Sequence, residues 1–223
     1  MSQSRTTSTP TWPLAAVLVA ATSVVVGVIW DISWHRTIGR DTFWTPAHMA
    51  IYLGGVLAGT SCGWLVLKTT FAGTPESKAG TVSFWGFRGP LGAWLAIWGA
   101  FAMITSAPFD NWWHNAYGLD VQVLSPPHVL LALGFTGIQL GALFLALAHQ
   151  NNEGDRPAFR WGYAYAAGLL VANASECCFR RREHQSLPSS GYRPKAVYPR
   201  CSISRPVRLR RNRRAGPQRS SWS

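Results

Sequence analysis

The stretch at 12–30 reads WPLAAVLVAATSVVVGVIW and decides the fold, because no charged side chain lies between Arg5 and Asp31. Its 19 mostly apolar residues are close to the about 20 that a helix needs to cross a hydrocarbon layer about 30 Å thick. No small-residue cleavage pattern follows it. We therefore expect an uncleaved transmembrane helix and not a signal peptide.

Three further runs, at 42–67, 89–109 and 121–152, also lack charged residues, and the last has its apolar body at 127–148. A fifth run at 161–175 begins in the same way but stops after 15 residues. That length corresponds to roughly 22 Å of helix at 1.5 Å per residue, too short to cross the hydrocarbon layer. The sequence predicts an all-α, multi-pass transmembrane bundle of four to five spans.

The composition supports the membrane assignment, since 13% of the residues are charged, against about 25% in soluble domains. The net charge of +12 is concentrated in one segment: residues 1–175 carry +1 and residues 176–223 carry +11. The pI of 10.5 therefore reflects that segment, and we expect a lipid bilayer and not nucleic acid as the partner of the body.

The segment 176–223 has two interpretations. It is either a disordered basic tail that lies on anionic lipid headgroups, or the product of a shifted reading frame in GC-rich coding DNA. We favour the frame shift, because the composition changes inside a helical run and the segment holds 12 Arg to a single Lys. Neither interpretation attaches a function to it.

Lysine and arginine counts in the short loops predict the orientation. Two arginines lie in the loops after the first and third spans, while six Lys or Arg residues flank the other side. We expect the N-terminus in the cytoplasm of a cell-membrane protein and the loops after spans one and three on the outward face.

The chain contains an internal repeat. Residues 31–48 read DISWHRTIGRDTFWTPAH and residues 110–128 read DNWWHNAYGLDVQVLSPPH, so that Asp, Trp-His, Gly, Asp, a hydroxyl residue with Pro, and His recur in order. A duplicated helix-loop-helix hairpin is the simplest explanation. We predict a first hairpin at 1–89, a second at 90–160, the truncated span at 161–175 and the tail at 176–223.

Each copy brings one carboxylate and two imidazoles together. The Asp and the first His are four residues apart and share a helical face. Thr45 or Ser125 fits the N-cap of the next helix and Pro46 or Pro126 its first position, which places the second His on the opening turn. The predicted metal ligands are Asp31, His35, His48, Asp110, His114 and His128.

This ligand set suits copper, zinc or non-haem iron and leaves coordination positions open. Asp41 and Asp120 are placed to orient an imidazole through its other nitrogen. The alternative is a set of helix caps and an aromatic belt at the membrane interface. The recurrence of the pattern favours metal, because ionisable groups at this depth are costly and tend to be functional. His149, at the end of span four with no partner nearby, is expected to be an interface residue.

At these residues the chain resembles the PmoC/AmoC family, the copper-binding membrane component of the particulate methane and ammonia monooxygenases. That family carries an Asp-x-x-Trp-His run followed by Arg-Asp-Thr, a Thr-Pro pair and His. The resemblance covers roughly residues 12–150 and implies a copper site on Asp31, His35 and His48. The family's neighbouring site opens with Asn, where this chain has Asp110, followed by the spacing of His114 and His128. The matching positions are Asp31, Trp34, His35, Arg40, Asp41, Thr42, Thr45, Pro46 and His48.

The resemblance implies oxygen activation at copper and hydroxylation of a small apolar substrate, with companion membrane subunits or further copies of the chain. Whether the chain is itself an enzyme stays open at this point. The alternatives are a protein that handles metal without turnover, a haem-b protein, against which the short hairpin argues, and a structural protein whose purified form holds no stoichiometric metal.

Overall fold

The computed structural model describes residues 10–38, 43–117, 125–153 and 156–186, although the side chains of His35, Arg36, Glu76, Glu153 and 176–186 lie outside the described part. Within these residues the protein is almost entirely helical, as the sequence predicts. The elements in chain order are α1 (Trp12–Thr37), α2 (Pro46–Ala72), α3 (Pro75–Lys78), β1 (Val82–Phe84), β2 (Phe87–Gly89), α4 (Leu91–Tyr117), α5 (Pro126–Glu153) and α6 (Pro157–Ser186).

Four helices are long and apolar enough to cross a membrane, which confirms the four predicted spans. They cover Trp12–Trp34, Pro46–Ala72, Leu91–Tyr117 and Pro126–Asn152. A helix of 27 residues is about 40 Å long and therefore exceeds a hydrocarbon layer of about 30 Å. In a bilayer, the end turns, which carry the Asp and His residues, would therefore extend toward the headgroup region.

Prolines and hydroxyl residues set where the spans begin. Pro46 and Pro126 are the first residues of α2 and α5, where a missing backbone N–H costs no hydrogen bond. Thr45 caps α2, because its hydroxyl accepts a hydrogen bond of 3.4 Å from the backbone N–H of His48. The predicted cap is confirmed at this helix, and it fixes the turn on which His48 lies.

The first pair of spans, α1 and α2, is antiparallel and closely packed. A Cβ added at Gly54 of α2 would lie 2.8 Å from the carbonyl oxygen of Ala20 in α1. Nearer the connecting loop, a Cβ at Gly27 would lie 3.1 Å from the carbonyl oxygen of Ala47. Glycine at these positions lets the two backbones approach each other, which is how helices associate in lipid.

The contact between α2 and α4 places both Asp/His motifs at one end of the bundle. Gly55, in the first half of α2, faces Met103 at the middle of α4, while Gly89, just before α4, faces Val66 toward the end of α2. These two helices are therefore also antiparallel. The ends of α1 and α4 consequently lie at the same level as the beginnings of α2 and α5.

The second pair of spans, α4 and α5, packs backbone against backbone. A Cβ at Gly99 would lie 2.5 Å from the carbonyl oxygen of Gly134 and 2.6 Å from the amide nitrogen of Ile138. Farther along, Gly92 and Gly141 are in equally close contact. With α1 on α2, α2 on α4 and α5 on α1, the four spans close a ring around a buried apolar core.

We expect Gly99→Ala to destabilise the bundle, because its methyl group has no space beside the α5 backbone. Overpacking of this kind costs about 1–3 kcal/mol of unfolding free energy. The control is Gly63→Ala, whose Cβ meets no atom within 4 Å and which gains helix propensity. Thermal unfolding in detergent should show a lower midpoint for Gly99→Ala only, and equal midpoints would contradict this packing.

Helix α6 packs against α5 and α1 through polar contacts. The Asn173 amide donates a 3.1 Å hydrogen bond to Gln139 Oε1 of α5, and the hydroxyls of Tyr165 and Thr22 of α1 lie 2.8 Å apart. The helix continues past residue 175, where the sequence predicts the tail to begin, and ends at Ser186. Arg, Glu and Gln at 176–185 are good helix formers, so the change in composition does not end the helix. Residues 187–223 lie outside the described residues, and their predicted disorder stays a prediction.

A short antiparallel hairpin that the predicted spans do not include connects α2 and α4. In it, Ser83 pairs with Arg88 and Phe84 pairs with Phe87. The turn uses positive φ angles at Trp85 (49°) and Gly86 (82°), as a two-residue hairpin turn with right-handed strand twist requires. This hairpin lies at the end of the bundle opposite the Asp/His motifs.

Candidate metal centre

The second motif forms a compact cluster at the end of α4 and the beginning of α5. Nε2 of His114 lies 3.3 Å from Oδ2 of Asp110, and Nε2 of His128 lies 3.5 Å from Oδ1 of the same carboxylate. One ligand atom from each of the three residues lies within 4.8 Å of the others. The structure thus brings together the carboxylate and both imidazoles of this motif, as the spacing in the sequence predicts.

These separations match the edges of a metal coordination polyhedron. Two ligands bound at about 2.0–2.1 Å in tetrahedral geometry lie about 3.3 Å apart. The Asp110 to His114 and Asp110 to His128 separations of 3.3 and 3.5 Å have this size. The ligand atoms of all three groups lie within 4.8 Å of one another, so adjustment of the side chains could bring them around one ion.

One oxygen of the Asp110 carboxylate is buried without a hydrogen bond. Within the described residues, Oδ1 has the ion-pair contact of 3.5 Å with Nε2 of His128 but no hydrogen bond. An anionic oxygen removed from water is costly unless a cation or a donor compensates it. The side chains are nevertheless 27–38% exposed, so an ion can reach them. The donor set and this buried oxygen both fit a cation.

Ser125 fixes the orientation of one imidazole. Its hydroxyl lies 2.8 Å from Nδ1 of His128, while Nε2 of that ring faces Asp110. Metal-binding histidines commonly use the second nitrogen in such a hydrogen bond, which sets the tautomer and the ring plane. The sequence predicts Ser125 only as a helix cap. Its spacing of three residues from His128 is the signal that could have identified this second role.

We expect Ser125→Ala to weaken metal binding at this cluster about tenfold, because a loss of this kind of orienting hydrogen bond costs about 10–100-fold in affinity. Ser125→Thr retains the hydroxyl and should restore most of the affinity. Titration of metal-free protein measures both values. If Ser125→Ala bound metal as tightly as the wild type, the Ser125 hydroxyl would act only on the helix backbone and not on the metal site.

The first motif is described in part. Oδ1 of Asp31 lies 3.1 Å from Nε2 of His48, and both side chains are about three-quarters buried, with 24% and 22% exposure. The ring of Tyr52 packs against His48 at 6.1 Å between centroids. The side chain of His35 lies outside the described residues, so the structure shows two of the three predicted ligands in contact.

Two other predictions concern residues beside the motifs. Asp41 and Asp120 lie outside the described residues, and their orienting role stays a prediction. His149 is predicted as an interface residue, and the structure adds a partner that the sequence does not show. Its side chain is buried and stacks on Phe159 with 5.0 Å between ring centroids, because α6 begins beside the end of α5.

Searches against protein-family models, curated proteins and solved structures return no match to this chain. The resemblance to the membrane component of the particulate monooxygenases therefore stays a prediction from the motif residues. The structure itself shows a helical bundle with four membrane-length apolar helices and a cluster of Asp110, His114 and His128 that can hold a metal ion.

Proposed function

We propose that the protein is an integral membrane protein that binds copper at the cluster of Asp110, His114 and His128. The observation that supports this most strongly is the convergence of the three ligand atoms from two helices at separations suited to one ion. Imidazole with carboxylate is a donor set for copper, and zinc and iron accept it as well. The resemblance to a copper-binding family selects copper among the three.

We propose that the first motif also forms a metal site, related to the cluster of the second motif. Asp31 and His48 are in contact, and the helical spacing from Asp31 to His35 is the same as that from Asp110 to His114. Both sites lie at one end of the bundle, which we assign to the outward face on the basis of the arginine and lysine distribution. This orientation puts the N-terminus in the cytoplasm.

Copper held by Asp110, His114 and His128 would supply oxygen activation, and the resemblance implies hydroxylation of a small apolar substrate that would arrive through the bilayer. The protein's own residues provide the surroundings. The rings of Trp113 and Tyr117 pack in a tilted pair at 4.5 Å between centroids on the last turns of α4, and Phe109 packs edge-on against Trp113 at 6.0 Å. These three rings lie on the face of α4 beside the face that carries Asp110 and His114.

The second candidate function is metal handling without turnover. The partial exposure of the three side chains favours it, because an ion held at an accessible site exchanges readily. The two functions differ in one observable. An enzyme gives an oxygen-dependent hydroxylated product from an apolar substrate, alone or with companion subunits, whereas a metal-handling protein transfers its ion to an acceptor and gives no such product.

Both candidate functions require bound metal, and elemental analysis of protein purified from membranes tests this requirement. We expect copper in amounts comparable to the protein, one ion for each site that survives purification. His149→Gln is the matched control, since it removes an imidazole that stacks on Phe159 away from both clusters. Wild-type protein with only trace amounts of every transition metal, even after incubation with copper, would refute the proposal.

A further inference from the structure

The end of the bundle opposite the Asp/His clusters contains a shallow basic cavity. It measures about 470 Å³ and lies between the end of α2, the short helix α3 and the strand β2. The residues that line it are Gly73, Pro75, Lys78, Ala79 and Arg88. We propose that this cavity binds the phosphate of an anionic phospholipid headgroup.

The charge of the cavity is not compensated by the described part of the protein. Lys78 is half-buried and Arg88 is exposed, and neither forms an ion pair with a described carboxylate. A guanidinium and an ammonium on one concave surface form charge-assisted hydrogen bonds with phosphate oxygens. The main chain at Arg88 is held in place, because its N–H donates a 2.8 Å hydrogen bond to the Thr70 hydroxyl of α2.

Aromatic residues of the hairpin and of α4 indicate that this end of the bundle lies at headgroup depth. Phe84 of the hairpin packs against Trp94 and Trp98 of α4, with 5.4 and 5.6 Å between ring centroids. The Trp94 indole N–H donates a 3.3 Å hydrogen bond to the carbonyl oxygen of Val82, and Trp85 at the turn is 83% exposed. Tryptophan rings with a polar end in water and an apolar body in lipid are typical of the membrane interface.

The same surroundings favour a lipid over free phosphate. The exposed apolar side chains of Leu67 and Phe71 lie on the last turns of α2, whose end borders the cavity. Acyl chains of a lipid whose headgroup occupies the cavity can lie on this surface. Inorganic phosphate would gain the contacts with Lys78 and Arg88 but none of this apolar contact.

Native mass spectrometry of the full chain in detergent tests the proposal, with phosphatidylglycerol and phosphatidylcholine as probes. We expect the wild type to bind phosphatidylglycerol more tightly than phosphatidylcholine. The double variant Lys78→Gln/Arg88→Gln should lose about fivefold or more of the phosphatidylglycerol affinity, as charges near a lipid surface imply. The basic segment at 187–223 is present in both proteins, so the difference between them isolates the cavity.

Lys68→Gln is the matched control, because that ammonium lies over the Trp64 ring, 4.9 Å from its centroid, and does not line the cavity. Arg88→Lys should retain most of the affinity. The single variants give the same test if the double variant does not fold. Equal phosphatidylglycerol binding by wild type and cavity variants would overturn the proposal. Inorganic phosphate that competes with the lipid at equal concentration would overturn the assignment to a lipid.

Discussion

His114→Ala is expected to remove one metal ion per chain from the purified protein. This imidazole contributes one of three ligand atoms and lies 3.3 Å from the Asp110 carboxylate. Because even a residue that orients a ligand is worth about 10–100-fold in affinity, loss of the ligand itself should weaken binding more than about 100-fold. Elemental analysis after dialysis against buffer without metal measures the loss.

Two companion variants separate a ligand role from a structural role. His128→Ala should cause the same loss as His114→Ala, although the two residues lie on different helices. Asp110→Asn keeps the shape of the side chain and removes its charge, so an intermediate affinity is expected. Metal content equal to that of the wild type in both histidine variants would exclude this cluster as the site.

Removal of the metal with a chelator is expected to lower the thermal stability of the bundle. A ligand at about 100 times its Kd stabilises the folded state by about 2.7 kcal/mol, which corresponds to roughly 5–10 °C for a chain of this size. The ion would join the end of α4 to the beginning of α5, so its removal releases both helix ends. Thermal unfolding with copper, with zinc and with chelator measures the shift.

The control for this shift is the double variant His114→Ala/His128→Ala, which keeps the first motif. Copper should raise the melting temperature of this variant less than that of the wild type, because the variant lacks the stabilisation by an ion at the second cluster. If another metal raised the melting temperature of this double variant as much as copper raises that of the wild type, His114 and His128 would not be the metal ligands. An equal shift in wild type and variant would assign the stabilisation to another part of the chain.

The sequence predicts the spans well because a membrane helix depends on one dominant property, an uninterrupted apolar length. The charge-free runs at 42–67 and 89–109 lie largely within α2 and α4, and the Thr45-Pro46 pair correctly predicts where α2 begins. The packing could not be predicted in this way. The backbone contact between Gly99 and Gly134 depends on which faces of α4 and α5 meet, and a single sequence does not record this.

The candidate site was predictable in part for a related reason. The spacing of four residues from Asp110 to His114 on one helix is a local property, and the proline that begins α5 limits where His128 can lie. The hydrogen bond between the Ser125 hydroxyl and the His128 ring depends on the side-chain rotamer and was missed. The basic cavity could not be predicted from the sequence. Lys78 and Arg88 are ten residues apart, and they line one cavity only because the chain turns back at Trp85 and Gly86.

X-ray absorption at the copper edge tests the central claim most directly, using the full chain with Asp31→Ala and His48→Ala to remove the first motif. The account predicts one copper ion per chain with nitrogen and oxygen neighbours at about 2.0 Å and the outer scattering of two imidazole rings. The further change His128→Ala should reduce this pattern to one ring or abolish binding. Absence of bound copper in the chain that retains Asp110, His114 and His128, or a shell without imidazole, would contradict it.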